Sequence, residues 1–347
     1  TGLIRIKNEY SYTDLKEFDM EWSLEKNGCV FNHGIYTNLC AAPGEYEDIL
    51  LDINLDGLTS GGTDQENEEG LYLLNLLFVY KELPMWADPG FVDTRIQLEL
   101  GEKKHSYRKQ NRQLENEVYN EEMSDLLHVV EEETCMTFTS NRVWAVVSKE
   151  NGYFESLKYG TNRGWKTVIE SNTDFAKGLQ VFRAPTDNDR HSPTAIGDHG
   201  WLKMGLDQMK HECKECALIE KNKDCAKIKI HHIYRCADWE NTGFHHYVVC
   251  CIYGDGHIAE EQYVQPFGEL GILPRVGIRM PVNETFSQVD YFGLGPKENY
   301  PDRLSGTYLG RFSGTVRELE EPYIRPQENG SRGRVSYVTL TDKDGEG

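Results

Sequence analysis

Three short segments concentrate the residue types from which a rigid polar surface is built. They are Arg183-Ala184-Pro185-Thr186-Asp187-Asn188-Asp189-Arg190, Gly293-Leu294-Gly295-Pro296-Lys297-Glu298-Asn299-Tyr300-Pro301-Asp302-Arg303 and Tyr323-Ile324-Arg325-Pro326-Gln327-Glu328-Asn329-Gly330. Each joins Pro or Gly, which restrict the backbone, to carboxylates, amides and guanidinium groups, which hydrogen-bond in fixed directions. Two kinds of chemistry fit. Arg183, Asp187, Asn188, Asp189, Glu298, Asn299, Arg303, Glu328 and Asn329 either line a cleft that meets an oxygen-rich ligand or a partner, or they form ion pairs and hydrogen bonds that fix the loops themselves.

Other reactive side chains are less organised. His191, His199, His231, His232, His245, His246 and His257 could supply acid and base for a proton-transfer reaction. Neighbours on a strand such as His245 and His246 point to opposite faces, however, and a strand His is more often a satisfied or surface residue than a catalyst. Cys213 and Cys216 have CxxC spacing and are followed by Cys225 and Cys236, but a structural zinc site usually has a second close pair, which those two are not. Nine cysteines, an odd number without regular spacing, read as reduced thiols in a cytoplasmic protein.

Strands must position these groups. Phe18, Met20, Trp22 and Leu24 alternate with polar residues, Asn27-Gly28 follows as a hairpin turn, and Leu71 to Tyr80 and Phe91 to Leu100 continue the pattern. Roughly seven strands in the first hundred residues predict an immunoglobulin-like sandwich. From residue 134 onward strand and turn alternate again, with turns at Asn151-Gly152 and Asp255-Gly256. The spacing of Leu202, Leu206 and Met209 predicts one helix over Asp198 to Lys210. Gly61 to Gly70 reads as a solvated acidic loop. A basic block (Lys103, Lys104, Arg108, Lys109, Arg112) followed by an acidic one (Glu115, Glu117, Glu121, Glu122, Asp125) reads as a linker, which divides the chain into 1–114 and 115–347.

The 347 residues suffice for two cores, and the net charge of -20 opposes binding to nucleic acid. A neutral, hydroxyl-rich ligand meets no such objection. No apolar run approaches the roughly 20 residues that span a bilayer, so no membrane partner is expected. The N-terminus lacks a start Met and the pattern of a signal peptide, and is expected to be that of a piece of a longer protein.

The run Phe182 to Asp189, then Gly293 to Arg303, then Pro326 to Gly330, resembles in order and spacing the C-terminal small-chain domain of family 2 β-galactosidases. Ile4 to Asn8, Phe18 to Trp22, Pro43 to Glu45 and Trp86 to Gly90 resemble the domain just upstream. The resemblance implies an all-β chain, with an immunoglobulin-like sandwich followed by a large antiparallel galactose-mutarotase-like one. It implies a retaining β-galactosidase, acting on substrates such as lactose, as the parent. This chain would be the non-catalytic part beside the catalytic barrel, which carries both catalytic glutamates and is the expected partner. No cofactor is expected in the chain itself. Magnesium and sodium are expected for the intact enzyme, as is a homo-oligomeric parent. The family continues after Gly330 through further strands to an aromatic residue near the sugar, whereas this chain stops at Gly347, so the last sandwich is expected to be truncated. Two alternatives stand beside this reading: a natural small subunit of a two-chain enzyme, and a mutarotase-like or sugar-binding sandwich.

Overall fold

In a computed structural model, residues 2–53, 70–100, 126–170 and 177–346 are described. The acidic loop at 61–69 and the charged linker with its boundary near residue 115 lie outside them. The chain is nearly all β, and every strand pairing found among the main sheets is antiparallel. The all-β expectation therefore holds.

Compactness divides the molecule into two units that are not contiguous in sequence. The first takes the residues through the sixth strand together with Asp290–Ser313 and Ser331–Val338. The second takes the residues from the seventh strand to Val289, with Gly314–Gly330 and Thr339–Gly347.

In the first unit, β1 (Leu3–Lys7), β2 (Phe18–Lys26), β3 (Cys29–Tyr36), β4 (Tyr46–Leu50), β5 (Tyr72–Tyr80) and β6 (Val92–Leu100) form two sheets, β1-β4 and β3-β2-β5-β6. The period of two explains their packing. Phe18, Met20, Trp22 and Leu24 share the inner face of β2 and meet Leu74, Leu76 and Phe78 of β5, while Ile6 and Ile49 reach them from the small sheet. β5 is buried on both faces, because Leu73 packs on its other side against Phe292, Leu294 and Leu309. The Gln97 side chain completes that attachment: its Nε2 donates to Leu309 O (2.7 Å) and its Oε1 accepts from Leu309 N (2.9 Å).

The β2–β3 hairpin turns on Asn27 (φ 50°) and Gly28 (φ 82°), the left-handed pair that matches the twist of the flanking strands. A Cβ at Gly28 would stand 2.7 Å from the Phe292 ring. Gly28→Ala is expected to destabilise the chain by about 2 kcal/mol, from left-handed strain and the aromatic clash together, measurable as a lower urea midpoint at unchanged m-value.

In the second unit, β7 (His128–Glu131), β8 (Cys135–Thr139), β9 (Val143–Ser148), β10 (Phe154–Thr161) and β11 (Gly164–Ile169) form a meander. After the short β12 (Gly178–Gln180), β13 (Lys210–Lys221), β14 (Cys225–Arg235), β15 (Gly243–Tyr253) and β16 (Ile258–Phe267) form a second one. Met136, Phe138, Ala145, Val147 and Leu157 face Ala226, Ile228, Ile230, Val248 and Cys250 across the interior. β17 (Gly277–Arg279) pairs with β12. A further sheet in the order β19-β18-β20, built from β18 (Gln288–Gly295), β19 (Tyr308–Thr315) and β20 (Tyr337–Thr341), lies mostly in the first unit.

The helix expected over Asp198 to Lys210 does not form. That segment folds as turns with a single 3-10 turn at Leu206–Gln208, and the only α-helical turn nearby is Pro193–Ile196. Gly205 takes φ +68°, outside the right-handed helical region, and interrupts the repeat. Leu206 is still buried, and Leu202 and Met209 partly so, against Trp201, Met204 and Phe244, so the apolar spacing reports a core rather than a helix.

Candidate functional site

Two of the three polar segments meet within the second unit. The short β12–β17 pairing sets the chain entering at Gly178, and Pro185 and Thr186 then turn it so that Asp189 folds back. Asp189 accepts from Arg183 Nη2 (3.0 Å), from Thr186 N (2.8 Å) and from Thr186 Oγ1 (2.8 Å). Asp187 is mostly exposed and meets the third segment: its N donates to Gln327 Oε1 (3.3 Å), and Gln327 Nε2 donates back to its Oδ2 (3.4 Å). Arg190 Nη2 adds a bond to Pro326 O (2.9 Å). Asn188 is exposed, and its side chain does not cap the 3-10 turn that follows.

Glu328 accepts from Arg275 Nη2, and Asn329 bonds Gln327 O through Nδ2 (3.2 Å) and accepts from Glu321 N (3.4 Å). Around these groups opens a pocket of about 410 Å³ lined by Gln180, Phe182, Arg183, Arg275, Arg279 and Glu328. Three guanidinium groups against one carboxylate make it rich in N–H donors. Arg183 Nε, buried, meets no acceptor among the described residues. The arrangement can hold oxygen atoms, whether hydroxyls or carboxylates, but brings no pair of free carboxylates together for acid/base work.

Glu298, Asn299 and Arg303 belong to the first unit. Asn299, 1% exposed, spends both ends of its amide on backbone: Nδ2 donates to Leu294 O (3.1 Å) and Oδ1 accepts from Gly333 N (2.7 Å). Glu298 is held by Arg303 Nη2 (2.7 Å), whose guanidinium also lies over the Tyr300 ring. These contacts fix the loop.

Arg275 and Arg279 were not singled out from the sequence. Only the register of β12 against β17, a pairing across about a hundred positions, carries them to Arg183, and no local spacing signals it. The cysteines do not converge: Cys213 and Cys216 lie on β13, Cys225 starts β14 and Cys236 follows its end. Burial pushes the Cys216 thiol up to about 12 and that of Cys225 up to about 11, so both rest as thiols near pH 7. Trp201 is core at 2% exposure, whereas Trp165 is half exposed and packs edge-on against Trp144.

The histidines divide by strand parity. His231 and His245 pair on the outer face (Nε2 to Nδ1, 3.0 Å), beside Tyr247. His232 and His246 lie on the inner face, both 2% exposed, and His211 Nε2 is 2.9 Å from His232 Nδ1.

Residues 139–346 match the family model described as beta galactosidase small chain. The chain belongs to that family. The small-chain region is preceded by a match to beta-galactosidase, domain 4, over residues 4–101. Among curated relatives, a beta-galactosidase of Priestia megaterium is 27% identical over the whole of this chain, which covers 30% of that protein. One from Lactobacillus delbrueckii subsp. bulgaricus is 27% identical over 99% of the chain and again 30% of its own length. One from Vibrio cholerae is 34% identical over 44% of the chain. This small-chain member thus spans under a third of the length of the first two relatives.

Proposed function

We propose that this chain is the non-catalytic C-terminal portion of a retaining β-galactosidase that hydrolyses terminal β-D-galactosides such as lactose. One observation carries the reading. Among the described residues β1 to β17 pair antiparallel and helix is confined to short turns, whereas a catalytic barrel needs eight parallel strands alternating with helices to hold a nucleophile and an acid/base roughly 5 to 5.5 Å apart. The chain packs beside that barrel, carried on the same parent chain or on a separate large subunit, and supports the mouth of its active site. The N–H-rich pocket around Arg183, with its buried unsatisfied Nε, supports an acceptor arriving from that partner. Magnesium and sodium serve the barrel portion. The parent is a cytoplasmic homo-oligomer.

The test is hydrolysis of a chromogenic β-galactoside by the purified chain, with an intact enzyme as control. The expected result is no turnover by the chain alone. Turnover that co-purifies with it would place catalytic carboxylates here and overturn the division of labour.

A further inference from the structure

Between the two meanders of the second unit lies a cavity of about 70 Å³ that the reading above leaves unused. Its walls are mostly apolar, built by Val147, Ile169, Ile228, Ile230, Val248 and Met280. On the β15–β16 side His246, Gln262 and Glu260 interrupt them, and His232, Lys177 and Arg279 reach the lining elsewhere. His246 Nε2 lies 2.8 Å from Gln262 Oε1, and Gln262 Nε2 donates to Glu260 Oε2 over 2.7 Å.

The order of this chain fixes the position of its hydrogens. The Cys250 thiol also bonds Glu260, which therefore acts as acceptor toward two donors. Gln262 must then turn its NH2 to Glu260 and its carbonyl to His246, so His246 carries its hydrogen on Nε2. Nδ1 keeps a lone pair. That nitrogen is buried and has no partner among the described residues. Burial also depresses the His246 pKa, which keeps the ring neutral near pH 7 and its lone pair available.

We infer that this cavity is a binding site for a small uncharged alcohol or phenol, whose hydroxyl donates to His246 Nδ1 while its apolar body lies against the Ile and Val walls. The lining decides the class. Lys177, Arg279 and Glu260 also reach the lining, but Lys177 Nζ already bonds Phe154 O (3.4 Å) and Glu260 holds Gln262, so a mostly apolar ligand with a single hydroxyl suits the open Nδ1 better than a sugar with several. The inference is independent of the galactosidase reading.

Phenol and toluene, nearly equal in shape, separate the hydroxyl from the apolar body. The full chain, with 15N-labelled histidine, is titrated with each while the side-chain nitrogens are followed by NMR. Phenol is expected to bind saturably, about fivefold or more tighter than toluene, with the His246 Nδ1 resonance moving most. His246→Phe should erase the preference and leave toluene binding in place. Equal affinities in the unmutated chain, no saturable binding, or phenol binding that leaves His246 Nδ1 unmoved would each overturn the assignment, whether or not the variant folds.

Discussion

Taking the pH from about 7 to about 5 is expected to cost the second unit about 2 kcal/mol of stability or more, because two buried histidines, His232 and His246, and the partly buried His211 are held together without their protons. His232 sits between His211 and His246, stacked on Tyr153 and near Tyr234. Burial first, and the neighbouring His211 and His246 second, push its pKa down to about 3. Burial likewise lowers His211 and His246. The unfolded chain protonates these rings near pH 6.5 while the folded chain does not, so the unfolded state binds more protons in that interval. The stabilisation is fully present above about pH 6.5 and is lost progressively as the pH falls toward the folded value. One such histidine contributes about 1.4 kcal/mol per pH unit, so His232 alone accounts for about 2 kcal/mol by pH 5. Urea unfolding between pH 5 and 8 measures the slope, and His232→Phe should reduce it by about one proton. A midpoint that does not move over this range would mean that the rings are solvated.

Replacing Asp189 by Ala is expected to cost about 3 kcal/mol. Its side chain is 15% exposed and that of Arg183 19%, and Asp189 accepts three hydrogen bonds, so its loss strands a largely buried guanidinium and two Thr186 donors. The neighbouring Asp187, with its side chain 59% exposed, should cost no more than about 0.5 kcal/mol. The contrast separates the two roles of this loop. In an intact enzyme Asp187→Ala is expected to lower turnover at an unchanged Tm, as a group facing the barrel would. A lower Tm with normal specific activity would make Asp187 scaffold instead.

Much of the architecture was legible because strands write their pattern with period two. Phe18, Met20, Trp22 and Leu24 gave the buried face of β2, and Asn27-Gly28 its turn. Parity also separated His245 from His246. What parity cannot supply is the partner across the interior, so the His211, His232 and His246 cluster and the Gln262 relay were not foreseen. The Leu202, Leu206 and Met209 spacing misled because an i, i+4, i+7 pattern records burial on one side of a path, and a turn-rich path around Gly205 satisfies it as well as a helix. In the polar segments the residue types were readable but their division was not. Asn299 proves to be wholly engaged with backbone, whereas Arg183 keeps a buried donor open.

The attachment of Leu309 to Gln97, and of Phe292 and Leu294 to Leu73, bears on how the chain is made. The first unit cannot close the outer face of β5 while only its opening hundred residues have left the ribosome. Leu73 and the Gln97 amide wait through some two hundred further residues of synthesis, with the whole second unit emerging in the interval. A nascent chain stalled before Asp290 should therefore present an apolar strand face to chaperones, although every residue of its six-stranded framework has already been translated.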